Sequence, residues 1–273
     1  MGYSGQIGTP SCESPVGSAI LSKAYHRVFT VERAESDAQR EEVFRLRYRT
    51  YCEEMGFIDP AEKPDGLESD AYDSRSRHVL LRLRNTGAAV GTVRVILPAE
   101  DDASDSFPLQ HGCEHPLVHD ADRVRVLCEI SRLCVIPDFR QFGAGLANGI
   151  SANPLAAAAA KKLVPYVPIG LFKGAFEWIL DLGRLECIAI MEPKLIRRLK
   201  SIDFICQELG PPVDYVGVRQ PVYFDLYEIF QHGYDVGARF YDLMADNGRL
   251  HELASRNHLA RLNHGAFGRK LPA

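Results

Sequence analysis

Residues 127–134 read L-C-E-I-S-R-L-C and predict the central strand of the fold. Strict alternation sorts the side chains onto two faces, with Glu129, Ser131 and Leu133 on one and Ile130, Arg132 and Cys134 on the other. A carboxylate inside an apolar strand is costly unless it is paired, so a polar group kept there is often functional. The alternative is a structural ion pair, for example with Arg94. The segment alone leaves both interpretations open.

The composition is that of an ordinary globular protein of one large or two small domains, with 273 residues, 46% of them hydrophobic and 25% charged. A net charge of −4 argues against nucleic acid as the main partner. The seven cysteines include no C-x-x-C pair. Their number and the apolar settings of Cys128, Cys134 and Cys187 predict buried, reduced thiols in a cytoplasmic protein. We expect no secretory signal and no transmembrane segment.

Strands and helices alternate along the chain, which predicts an α/β (α+β) architecture. Strands are expected at 28–34, 78–83, 90–97, 124–136, 187–191, 213–218 and 221–227. Helices are expected at 37–54, 169–182 and 194–200, with one or two more within 228–263. The resulting domain organisation is a disordered tail at 1–27, one α/β domain at 28–228 and a C-terminal helical extension at 229–273.

A glycine motif follows the central strand. Arg140, Gly143 and Gly145 fit the pattern R/Q-x-x-G-x-G/A, which in the GNAT acyltransferase superfamily opens a helix that binds the pyrophosphate of coenzyme A. Glycines allow close backbone approach, and a helix N-terminus favours anions. However, the next clear amphipathic helix begins only near Ile169. A real phosphate loop and a chance match therefore both remain open.

Several motifs together resemble the acyl-homoserine lactone (autoinducer) synthases and the long-chain N-acyl amino acid synthases. They occur in the family's order: Arg47 and Tyr51, Phe57 where the family usually has Trp, Asp70 and Asp73 in a D-x-x-D, Arg94, and Glu129, Ser131 and Arg132 in an E-x-S-R. The second half is similar to acyltransferases associated with PEP-CTERM/exosortase systems. That likeness rests on segments 169–177, 189–199 and 210–221.

The resemblance implies a GNAT-like mixed central sheet flanked by helices, and an N-acyltransferase that uses an acyl carrier protein or acyl-CoA thioester as co-substrate. The acceptor would be an amino acid or a similar small amine. Glu129, Ser131 and Arg132 would be catalytic, and Arg47, Tyr51, Phe57, Asp70, Asp73 and Arg94 would bind substrate. Arg140, Gly143 and Gly145 would bind the donor.

No permanently bound cofactor and no metal site are expected. Two alternatives stay open: a lactone synthase that uses S-adenosylmethionine, and a non-catalytic acyl-thioester sensor. An acidic carrier protein would need a basic docking face. The candidates for that face are Arg140, Lys161, Lys162, Lys173, Arg197 and Arg198.

Overall fold

The computed structural model of the chain describes residues 16–136, 163–215 and 217–263. Its helices are α1 Val16–Val28, α2 Asp37–Tyr48, α3 Ala121–Val124, α4 Val167–Asp181, α5 Pro193–Lys200, α6 Leu226–Asp235, α7 Tyr241–Met244 and α8 Arg249–Asn263. Its strands are β1 Phe29–Arg33, β2 Ser76–Leu83, β3 Ala89–Ile96, β4 Leu127–Val135, β5 Glu186–Met191, β6 Gln207–Glu208, β7 Val213–Asp214 and β8 Val218–Asp225.

These strands form a mixed sheet in the order β1-β2-β3-β4-β5-β8-β6, with β7 paired to β8. Within the described residues every pairing is antiparallel except β4 with β5. The β2–β3 hairpin turns at Asn85–Gly87, where Gly87 has a φ of 71°, a value that glycine adopts without strain. The predicted α/β class and the mixed sheet flanked by helices are confirmed.

Helix α4 covers one face of the sheet and builds the main core, because its apolar side is nearly continuous. Phe172 and Phe176 pack among the phenylalanines of the neighbouring elements, including Phe204 and Phe224. The C-terminal helices α6 to α8 join the same core. The opposite face of the sheet carries a second, smaller core beneath the long connection between β3 and β4. The site described below lies between this connection and the main core.

The prediction of a disordered tail at 1–27 is wrong for residues 16–27, which lie in α1. Leu21 and Tyr25 of this helix are buried in the main core. The contact with α4 is close: a Cβ added at Gly170 would lie 2.0 Å from the Tyr25 hydroxyl oxygen. The polar composition of the segment concealed two apolar residues one helical turn apart, which are enough to anchor a helix to an existing core.

Two predicted strand boundaries also differ. The strand expected at 124–136 begins only at Leu127, because Asp120 caps the short helix α3 over the preceding residues. The strands expected at 213–218 and 221–227 are instead the short β7 and a single longer β8, which ends where Asp225 caps α6.

Candidate active site

A cleft opens in the sheet where its two parallel strands separate. β4 pairs with β5 only from Leu127 to Glu129, opposite Glu186 to Ile188. Beyond this point β4 stays paired with β3, and β5 stays paired with β8. Since no strand of the described residues fills the gap, backbone groups along the inner edges of both strands have no ladder partner within this part of the chain.

A cavity of about 790 Å³ occupies this cleft. Its volume falls in the range of small-molecule binding sites. Residues 129–135 of β4 form one wall, and residues 189–191 of β5 with the following Glu192 form the other. Apolar and aromatic side chains supply much of the remaining lining: Tyr51, Met55, Phe57, Ile58, Val167, Phe172 and Leu195. Such a lining suits a hydrocarbon chain.

Glu129 lies at the point where the strands part and lines the cavity. Its side chain is 2% exposed, and its Oε2 accepts a hydrogen bond of 3.0 Å from the Leu109 backbone N–H. Burial raises the pKa of Glu129 to about 7, although that N–H and the nearby Arg94 and Arg132 act in the opposite direction. The described residues include no salt bridge to Glu129, so the structural ion pair with Arg94 is not what holds it.

The prediction that Arg132 points to the opposite face from Ser131 is wrong. Between Thr92 and Arg94 the register of β3 against β4 shifts, and Arg132 has a φ of 50°. This bulge breaks the alternation of side chains. As a result Ser131 contacts Arg94, with 3.0 Å between Oγ and Nε, while Arg132 reaches Asp70, which Arg94 also binds.

A buried ionic cluster stands behind the cavity, with three arginines and three carboxylates. Arg47 binds Glu68 through Nε and Asp73 through both terminal nitrogens. Arg94 binds Asp70 at 2.6 Å and Asp73 at 3.0 Å, and Arg132 binds Glu68 and Asp70. The predicted residues Arg47, Asp70, Asp73, Arg94, Ser131 and Arg132 therefore lie together. Glu68 completes the cluster.

Local structure accounts for the positions in this cluster. Ser36 caps α2 in a capping box, and Arg47 lies on the buried side of that helix. The D-x-x-D spacing is itself a capping box: Asp70 accepts from the Tyr72 N–H, and Asp73 accepts from the Asp70 N–H. Burial opposes ionisation of Asp73, yet Arg47 and Arg94 hold its pKa well below the usual range.

Exposure divides the cluster into two layers. The side chains of Arg47 and Arg94 are fully buried, and Glu68 is 1% exposed. Asp70 and Arg132, at 26% and 21%, are the more accessible members. Arg132 also lines the cavity and lies over the Tyr51 ring at 5.6 Å. Asp70 and Arg132 can therefore reach a ligand, while the fully buried members hold them in place.

Two predicted aromatic residues lie on one wall of the cavity. α2 continues into a π-helical turn, Arg49–Glu54, which carries Tyr51. Phe57 stacks on Tyr51 with ring centroids 6.5 Å apart and is 40% exposed. The pair extends the apolar surface from inside the cavity towards solvent.

Comparison with protein families gives one match. Residues 46–146 match the acetyltransferase (GNAT) domain. This range begins at the end of α2 and contains the ionic cluster and Glu129.

The fold is GNAT-like.

The enzyme class that the matched domain indicates is acyltransferase. The separation of the parallel strands β4 and β5, which opens the cleft, agrees with this class. No curated protein matches the chain in sequence.

Solved structures extend the likeness beyond the GNAT domain. A ternary complex of TofI with an inhibitor and MTA has 20% identity, covers 73% of this chain and 91% of that chain, and has a TM-score of 0.50. The structure of BjaI with MTA, described as a CoA-dependent acyl-homoserine lactone synthase, is 21% identical. The match covers 85% of this chain and 99% of that chain, with a TM-score of 0.50. FeeM, an N-acyl amino acid synthase from uncultured soil microbes, has 13% identity, covers 75% and 94%, and has a TM-score of 0.47. At 20–21% identity, the likeness to TofI and BjaI is one of fold alone.

Positively charged side chains line the cavity on the side of α5. Lys194 and Arg198 of α5 are exposed and line it, as does Arg219, whose guanidinium lies 3.6 Å from Glu192. Arg197, predicted for docking, is exposed on the same helix. Lys173 is not available as predicted, because it is only 12% exposed and pairs with Asp246 at 2.8 Å.

Arg140, Gly143 and Gly145 lie outside the described residues, as do Lys161 and Lys162. No group of three or more metal-ligating side chains occurs in the parts of the chain that the structure describes. Over the same residues no helix is long and apolar enough to cross a membrane. The six cysteines there are free, and five of them are buried, as predicted for reduced thiols.

Sequence reasoning missed three parts of the site. Glu68 directly precedes Ser69-Asp70, and an acidic residue in an acidic loop gives no signal of burial. The Leu109 N–H is a backbone group, so no residue type in the sequence marks it as part of the site. Lys194 and Arg219 come from separate elements that only the folded sheet brings to one cavity.

Proposed function

We propose that this protein is an N-acyltransferase that moves a fatty acyl group from a carrier protein or coenzyme A thioester to the amino group of an amino acid. The observation that carries the proposal is Glu129, a buried carboxyl group with a pKa near 7 that faces a largely apolar cavity between separated parallel strands. A general base works best when its pKa is close to the operating pH.

The proposed reaction is aminolysis of a thioester. An α-amino group with a pKa of about 7.7–8.0 must lose a proton before it attacks. Glu129 takes that proton, and the neutral nitrogen bonds to the acyl carbon. The carbon–sulfur bond then breaks, and the sulfur leaves as a thiol with the proton that the nitrogen loses as it becomes an amide. The backbone N–H groups on the inner edge of β4, which have no ladder partner among the described residues, supply donors for the oxyanion, as such groups do in other acyl transfers.

The ionic cluster favours an acceptor that carries both charges of an amino acid. Arg132 uses Nε and Nη2 for carboxylates, and among the described residues its Nη1 has no partner. Arg94, whose side chain is fully buried, holds Asp70 and Ser131 in place. The Arg132 guanidinium group suits the acceptor's carboxylate, and Asp70 suits its ammonium group. Ser131, bound to Arg94, orients the acceptor beside them.

The donor side fits an acyl chain attached to a phosphate-bearing arm, a feature shared by both thioester types. The apolar lining would receive the chain, and Lys194, Arg198 and Arg219 would meet the phosphate or an acidic carrier surface. We assign the reaction to the cytoplasm, which the free thiols favour. The motif resemblance supports a place in a PEP-CTERM/exosortase system.

Mass spectrometry of the purified protein's products tests this proposal. The protein would be incubated with acyl-CoA or acyl carrier protein thioesters and a mixture of the twenty amino acids, with and without S-adenosylmethionine. We expect N-acyl amino acids and an equal amount of free thiol. A lactone formed only with S-adenosylmethionine would contradict the amino acid acceptor. Tight thioester binding without any product would contradict catalysis.

The cavity lining makes a prediction about chain length. Leu195 lines the cavity and is half-buried, so Leu195→Trp fills acyl space with little disturbance of the core. Each buried methylene contributes about 0.8 kcal/mol, so displacing three or four would lower kcat/KM for long acyl donors by roughly 10²-fold. Donors with two to four carbons should keep their rates.

Leu182→Trp is the matched control, since Leu182 is 40% exposed and does not line the cavity. Its chain-length profile should equal that of the wild type. Equal losses for short and long donors in Leu195→Trp would show that the acyl chain lies elsewhere.

A further inference from the structure

The long connection between β3 and β4 supplies the hydrogen bond that Glu129 accepts. Its turn Pro108–His111 places the Leu109 N–H 3.0 Å from Glu129 Oε2. Glu129 Oε1 makes no hydrogen bond to a described residue, so one carboxylate oxygen is fixed and the other is left for a ligand. The position of this turn therefore decides how the carboxylate is oriented.

Gln110 braces the turn from inside. Its side chain is buried, and its Oε1 accepts the Phe107 N–H at 2.8 Å. Its Nε2 donates to the carbonyls of Ala103 and Val118, at 2.8 Å and 2.7 Å. These bonds join three parts of the connection around the residue next to Leu109. A glutamine that satisfies three backbone groups, two of them buried, is costly to replace, because the buried ones would be left unpaired.

We propose that Gln110 is a positioning residue, which holds the Leu109 N–H against Glu129 Oε2 and so aims Oε1 into the cavity. Gln110 acts through the backbone and does not itself line the cavity. The inference rests on the proposed function only where it concerns turnover. The positioning of Glu129 can be measured in the resting protein.

The hydrogen bond also has an electrostatic effect. A backbone N–H stabilises the charged carboxylate, and the Leu109 N–H lowers the pKa of Glu129 against the larger effect of burial. The other groups that influence Glu129 are Arg94 and Arg132, which lower its pKa, and Asp70, which raises it. Tyr72 is a further titratable neighbour. None of these groups is hydrogen-bonded to Gln110, whose bonds go to Phe107, Ala103 and Val118, so Leu109 is its direct link to Glu129.

Two variants test the inference by independent routes. Gln110→Met keeps the side-chain volume and removes all three hydrogen bonds. Replacing the Leu109 amide by an ester removes only the N–H donor and leaves Gln110 intact. Ser106→Ala is the control: Ser106 is buried in the same connection, but its hydroxyl bonds only the backbone of Ala99 and Asp102.

The measurement is the ¹³C NMR titration of Glu129 in protein labelled at glutamate Cδ, with Glu129→Gln identifying the signal by its absence. Loss of a hydrogen bond to a charged group should raise the Glu129 midpoint by about one pH unit or more. We expect this shift in Gln110→Met and in the ester, and none in Ser106→Ala. The acid limb of kcat/KM should move upward equally.

Three outcomes would overturn the inference: an unchanged midpoint in the ester, an unchanged midpoint in folded Gln110→Met, or an equal shift in Ser106→Ala. If Gln110→Met does not fold, the ester decides alone. Absence of acyl transfer in the wild type would refute the proposed function. The NMR titration would still show whether Gln110 positions the Leu109 N–H against Glu129.

Discussion

Glu129→Gln should lower kcat/KM for acyl transfer by roughly 10²- to 10⁴-fold, the range typical for removal of a general base. Glutamine keeps the shape of the side chain and can still accept the Leu109 N–H, so the fold and the cavity should persist. The pH profile of the wild type should fall below about pH 7, where Glu129 becomes protonated. In the variant that limb should disappear.

Glu62→Gln is the matched control, because it makes the same change on an exposed turn. Its rate and profile should equal those of the wild type. A folded Glu129→Gln protein with full activity would show that the carboxylate is not the base. The reaction would then need another proton acceptor.

The same substitution should raise the free energy of unfolding at neutral and alkaline pH. The pKa of Glu129 is higher in the folded protein than its ordinary value, so between about pH 4.3 and 7 the native state holds the extra proton. Stability due to this group therefore falls as pH rises through that window. Above it, the charged buried form costs roughly 3–4 kcal/mol at 1.36 kcal/mol per pH unit.

Urea unfolding of both proteins at pH 5 and pH 8.5 checks this expectation. The variant should gain little at pH 5 and up to about 3–4 kcal/mol at pH 8.5. A gain at alkaline pH combined with a loss of activity would identify a group kept for function at a cost in stability. An equal loss of stability at both pH values would instead mark Glu129 as structural.

Much of the fold follows from local sequence, because strands and amphipathic helices carry their own periodicity. The residues of the ordered motifs, from Arg47 to Arg132, also lie together in the structure, as expected. The side-chain directions on β4 could not be predicted, since alternation assumes a regular pleat and the bulge at Arg132 breaks it. Helix α1 was missed because its stability depends on Tyr25 meeting Gly170 of a distant helix.

The sequence also did not reveal which charged side chains are buried or how they pair. Glu68 and Asp70 belong to the same acidic loop, yet one is buried and the other partly exposed. What separates them is the position of Arg47 on α2, which no pattern within the loop encodes. The consequence is a charge cluster whose stability depends on every member being present.

Arg47→Met should therefore destabilise the protein by roughly 3–5 kcal/mol, the usual cost of breaking a buried ion pair by removing one partner. Methionine retains much of the apolar stem but leaves Glu68 and Asp73 with fewer partners in the interior. At about 2–4 °C per kcal/mol for a protein of this size, Tm should fall by roughly 10 °C. Arg45→Met is the control, since Arg45 is 61% exposed on the same helix and pairs only with Glu41. It should change stability by less than about 0.5 kcal/mol.

The loss of stability in Arg47→Met should depend on pH. Burial disfavours the charged forms of Glu68 and Asp73, but the arginines nevertheless lower both pKa values below the ordinary range. The stability they contribute is therefore present above the unfolded pKa and lost as pH falls through the folded one. The gap between the wild type and Arg47→Met should narrow below about pH 4. Adding Glu68→Gln to Arg47→Met should restore part of the loss at pH 7, because it removes a buried charge that has lost a partner. A double variant that is as unstable as the sum of its single changes would show that Arg47 acts by packing alone.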